Sequence, residues 1–115
     1  HDSHNIIAIG VDDEEIVTAI NSLIDAKGGV CVVDNNEKSI LPLPVAGLMS
    51  TDNAYNFAEQ YEIIDKKASD LCSGLTAPLM TLSFMALLVL PDLKISDKGL
   101  FDGKHFQFTS IFNIK

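Results

Sequence analysis

The chain has 115 residues, enough for one hydrophobic core and a single domain, 1–115, but not for two. Hydrophobic residues make up 47% and charged residues 21%, a balance that excludes an intrinsically disordered chain. Eight basic against 16 acidic residues leave a net charge of −8, which excludes a nucleic-acid backbone or an anionic membrane surface as partner, because both need positive surface.

Residues 1–10, HDSHNIIAIG, crowd His1, Asp2, Ser3, His4 and Asn5 into five positions that run directly into an apolar strand. Polar side chains at a strand end sit at the rim of a sheet, where the backbone can aim them at a ligand. There is no initiator Met, and the chain reads as a piece of something longer, cut inside a functional motif. Asp12 with Glu15 three positions later is a capping-box pattern. Ile16, Val17, Ile20, Leu23 and Ile24 follow at helical spacing, Lys27 suits the C-terminal dipole, and Gly28–Gly29 ends the helix. The run VCVV, 30–33, is continuously apolar and predicts a strand buried on both faces. Strand, helix and strand together predict an initial parallel βαβ unit.

Asn35–Asn36 predicts a tight hairpin into residues 37–41, because Asn tolerates positive φ. In LPLPVAGLMS, 41–50, Pro42 and Pro44 forbid a regular central strand and predict an ordered apolar loop. Phe57, Tyr61, Ile64, Ala68 and Leu71 form one apolar stripe on a second helix over 52–72, ended by Ser73–Gly74. Alternation of Leu82, Phe84 and Ala86 with Thr81, Ser83 and Met85 predicts a strand over 80–86. Pro91 breaks it, and short strands follow near 94–95, 100–101 and 106–108. The longest apolar run, 79–90, is shorter than the ~20 residues that span a bilayer. With no signal peptide visible, the expected location is the cytoplasm, with Cys31 and Cys72 as buried free thiols. The predicted fold class is α/β: a mixed sheet with the parallel βαβ start, a hairpin and two main packed helices.

Imidazole and carboxylate at His1, Asp2 and His4 suit zinc, manganese or iron, but no third and fourth ligand is obvious and His105 is remote. Substrate contact and a solvated strand end are the other readings of this cluster. Ser3 beside His4, or Ser83 with a distant His, lacks any G-x-S-x-G context. On a strand, Thr81 and Ser83 share one face, where hydroxyls bonding to backbone are the simpler reading. Gly10-Val11-Asp12 lacks the remaining glycines of a dinucleotide turn, and the acidic run 12–15 would repel a phosphate. Met49, Met80 and Met85 fit either an adaptable pocket or ordinary core.

Three stretches together, HDSHNI at 1–6, LPLPVAGLMS at 41–50 and PLMTLSFMALLVLPDLKISDKGLFD at 78–102, resemble the C-terminal domain of bacterial adenine deaminases of the amidohydrolase superfamily. The resemblance covers essentially the whole chain. It implies hydrolysis of adenine to hypoxanthine and ammonia by a parent enzyme whose manganese or iron lies in a (β/α)₈ barrel. That barrel takes about 200 residues or more and a His-x-His pair, neither of which this chain has. The implied partners are adenine, the enzyme's own barrel domain and a further copy in a homo-oligomer. No metal or catalytic residue is expected within the 115 residues. His1, Asp2, Ser3, His4, Asn5, Thr81 and Ser83 are the expected substrate-site or supporting groups. A structural or oligomerisation module of the same enzyme is the alternative, and a free-standing small-molecule-binding domain the third reading.

Overall fold

A computed structural model describes residues 4–35, 37–72 and 74–112. The chain divides into two compact units: residues 8–79, and residues 80–112 together with His4–Ile7.

The first unit is a hairpin between two helices. Helix α1, Asp13–Asp25, starts at Asp12, whose side chain accepts hydrogen bonds from the backbone N–H groups of Glu14 and Glu15 at 2.9 and 3.1 Å. Such a cap contributes about 1 kcal/mol. Only half of the capping box forms, because the Glu15 carboxylate accepts from the Asn35 backbone N–H at 3.0 Å. The helix ends in a Schellman motif: Gly28 N–H donates to Leu23 O, Lys27 N–H donates to Ile24 O, and Lys27 takes φ 60°. Strands β1, Gly29–Asp34, and β2, Glu37–Pro42, pair antiparallel in register from Gly29–Pro42 to Asp34–Glu37. Asn35, at φ 47°, sits in the predicted turn, and Asn36 lies outside the described residues.

Helix α2, Ala54–Leu71, is capped by Asn53 and lays Phe57, Tyr61, Ile64 and Ala68 on the hairpin. Val32, Leu41, Ile64 and Ala68 form the buried core, with Val30 and Leu79 against it. Leu71, expected to close the stripe, is exposed, and Ser73 lies outside the described residues. Side chains alternate along β1, so Cys31 faces away from Val32 and toward Ser22 of α1. The apolar run VCVV therefore serves two helices. Cys31 is half-buried, and burial pushes its thiol pKa up. Cys72 is also half-buried and free, so both thiols are less enclosed than expected. The proline loop is ordered: Leu43 N–H donates to Gly28 O, and Ala46 and Gly47 take φ 57° and 73° in a tight turn closed by Leu48 N–H to Val45 O.

Helix α3, Pro78–Met85, carries the boundary between the units. Beyond it, β3, Leu93–Ser96, β4, Gly99–Asp102, and β5, Gln107–Phe108, form an antiparallel sheet in that order. Phe106 and Phe108 meet the Phe101 ring edge-on at centroid distances of 5.4 and 5.3 Å.

The α/β class and both main helices stand, but three expectations are corrected. Residues 4–10 form no strand, so the parallel βαβ start is not made; an apolar run alone does not establish a strand, and here Ile6 and Ile9 are exposed. Both sheets are antiparallel, so there is no mixed sheet among the described residues. Residues 80–86 are not a strand but fall within or just beyond α3, where Pro78 in the first helical turn needs no amide proton. Leu and Met favour that helix, and because it is apolar all round its side-chain order carries no period. Among the described residues no helix is long and apolar enough to cross a membrane.

Candidate functional site

Of the polar residues singled out in the sequence, the described ones, His4, Asn5, Thr81 and Ser83, belong to the second unit. His4, at φ 47°, and Asn5 are exposed, and they belong to the same compact unit as 80–112. His1, Asp2 and Ser3 lie outside the described residues. Thr81 and Ser83 also belong to this unit, but the helix puts them about 160° apart rather than on one face. The Ser83 hydroxyl donates to the Met80 carbonyl at 2.7 Å, the backbone bonding expected of it. The loop 41–50 belongs to the other unit.

The same unit holds a pair that the sequence reading passed over. β4 ends at Asp102, and the Asp-Gly turn that follows returns the chain to β5. One Asp102 oxygen accepts from the backbone N–H groups of Lys104 and His105 at 2.9 and 3.0 Å. The other lies 2.6 Å from His105 Nδ1. Gly103 N–H donates to Asp92 O, and a Cβ on Gly103 would press on the carbonyls of Leu88 and Leu90, which requires glycine at the turn. The Asp102 side chain is 20% exposed and the His105 ring 64%. An Nδ1–H held by a carboxylate fixes the tautomer and leaves Nε2 to accept a hydrogen bond or a proton. An Asp followed by Gly and, three positions on, by His is the signal that could have revealed it.

The His105 hydrogen bond holds the Asp102 carboxyl below the ordinary 3.8, with the two backbone bonds adding to the effect. A depressed carboxylate stabilises the fold above its ordinary pKa and loses that contribution as pH falls through the folded value. The turn is therefore expected to persist as pH falls past 3.8 and to open only below it. A carboxyl-detected NMR titration of Asp102, with the Lys104 and His105 amide shifts moving in step, checks this; a midpoint at or above 3.8 contradicts it.

The other polar grouping lies in the first unit. Lys67 Nζ donates to Glu37 Oε1 and Ser39 Oγ, both at 2.7 Å, and holds the Glu37 carboxyl below its usual range. Asp34, Asp70, Val32 and Leu71 complete a cleft of about 170 Å³ around them. Ligand pockets usually run to roughly 300–1,000 Å³, so this is a solvated ion pair rather than a small-molecule site. Among the described residues no three His, Cys, Asp or Glu side chains converge in a way that could hold a metal ion, so they do not fit a manganese or iron centre.

A family model described as the adenine deaminase C-terminal domain matches residues 1–107. Among curated relatives, an adenine deaminase of Parabacteroides distasonis is 54% identical over 112 residues, covering 97% of this chain and 21% of that protein. Those of Sulfurovum sp. and Methanosarcina acetivorans are 52% and 49% identical, covering 94% and 97% of this chain and 20% of each relative. The chain thus spans about a fifth of the length of the relatives it matches. No solved structure matches it.

Proposed function

Because the chain belongs to the adenine deaminase C-terminal domain family, we propose that it acts as that part of a larger cytoplasmic enzyme, one that converts adenine and water to hypoxanthine and ammonia. The observation that carries this reading is the extent of the match: almost all of this chain against a fifth of proteins named adenine deaminase. Manganese or iron, and the barrel that would hold it, are assigned to the rest of the enzyme.

Within that enzyme the second unit supplies polar groups at the substrate site. His4 and Asn5, continuing the cluster His1, Asp2 and Ser3, offer donors and acceptors suited to the edge of a purine. Such a site discriminates far better than an apolar one, because a wrong ligand leaves its polar groups unpaired. Ser83 is less suited to this task than Asn5, since its hydroxyl proton is already engaged by Met80 O. In the full-length enzyme, His4→Ala is expected to lower kcat/KM at least tenfold while metal content stays constant. A change within twofold, about 0.4 kcal/mol, defeats the substrate-site role. It would leave the second reading, a structural or oligomerisation module, which the exposed Ile95, Phe106 and Phe112 favour.

A further inference from the structure

One face of the three-stranded sheet is anchored by buried residues, and the other carries the most exposed aliphatic side chain of the sheet. Residues paired across antiparallel strands share a face. Lys94, Phe101 and Phe108 are paired across the sheet and lie on one side, where Lys94 and Phe101 are buried and Phe106 and Phe108 pack on Phe101. The Lys94 ammonium donates to the carbonyls of Pro91 and Leu93. On the other side stand Leu93, Ile95, Leu100, Asp102 and Gln107, by the same register. Ile95 is 80% exposed between Leu93, exposed to 38%, and the half-buried Leu100, and the Asp102–His105 pair borders them.

An apolar centre with a polar border is how a protein interface is built. A small sheet normally needs a second layer on its apolar face. The first three relatives carry about four-fifths of their length outside the region matched here, which is ample chain to provide that layer. We propose that the Leu93–Ile95–Leu100 face docks against the remainder of the same deaminase chain, with Asp102 and His105 as the hydrogen-bonding rim. The proposal rests on the reading that this chain is part of an adenine deaminase; it does not depend on His4 or Asn5 touching adenine.

The test uses full-length enzyme carrying Ile95→Cys or Tyr55→Cys. Ile95 and Tyr55 are 80% and 83% exposed here, so an uncovered sheet would let the two thiols react alike. Maleimide modification followed by mass spectrometry is expected to be at least tenfold slower at position 95 than at position 55, and to stay so on dilution. A smaller ratio overturns the proposal. Protection that disappears on dilution also overturns it, and assigns the face to a second copy of the chain. Should Ile95→Cys fail to fold, hydroxyl-radical footprinting of the unaltered enzyme compares Ile95 with Ile63, an exposed residue of the same type on α2. Tenfold lower oxidation of Ile95 supports docking, and similar oxidation refutes it. Loss of activity in His4→Ala bears on the substrate-site reading alone, so the two can fail separately.

Discussion

Gly28→Ala is expected to disrupt the first unit. Gly28 sits at φ 116°, and a Cβ there would overlap the Cα of Gly47 and crowd its carbonyl oxygen. Both obstacles are backbone, so no side-chain rotation relieves them. The strained φ costs about 1–3 kcal/mol and the overlap about as much again, giving roughly 2–6 kcal/mol. A domain of this size has a total stability on the order of 5–15 kcal/mol, so the loss is a large fraction of it. Gly99→Ala is the control, because Gly99 also has positive φ, 119°, but a Cβ there meets nothing within 4 Å. Thermal unfolding followed by circular dichroism should show Gly28→Ala far less stable than Gly99→Ala. Equal losses would mean that the approach of Gly28 to Gly47 does not matter.

Ile64→Ala is expected to cost about 3 kcal/mol, a shift of roughly a hundredfold in the folding equilibrium. Ile64 is 3% exposed and belongs to a core whose other buried members are Val32, Leu41 and Ala68. With so few partners, the cavity left behind cannot be filled without moving the hairpin. Its neighbour Ile63 is 61% exposed, and Ile63→Ala should fall within about 0.5 kcal/mol of the parent. Urea denaturation of both variants checks the contrast; similar midpoints would place the core elsewhere.

These residues also show which parts of the fold were legible. The α2 stripe is polar on one side and apolar on the other, so periodicity alone located Ile64 and Ala68. Asp12 and Asn35 announced a cap and a turn because their short side chains and tolerance of unusual backbone angles suit those positions. Helix α3 was not legible by periodicity, since a segment apolar all round has no preferred period, and the alternation of Thr81 and Ser83 with leucine and phenylalanine was incidental. Pro78 in its first turn was the usable cue. Residues 5–10 misled for a different reason: their apolar run suggested a buried strand, yet it pairs with no strand and is largely exposed, with Ile9 at 76%. At the candidate site, the sequence picked His4 and Asn5 from local crowding. It missed His105, whose partner Asp102 is three residues away across a turn that only the folded backbone closes.

The division of the chain sets an order of events during synthesis. Residues 8–79 are contiguous, so their core can close as soon as Leu79 is available. His4–Ile7 belong instead with residues 80–112, and their unit is incomplete until Phe108 has been added to the sheet. At about 5–20 residues per second, the segment beginning at His4 waits on the order of 5–20 s for its partners. During that interval Ile6 and Ile7 lack the rest of their own unit, which leaves that segment open to a chaperone or to a wrong contact.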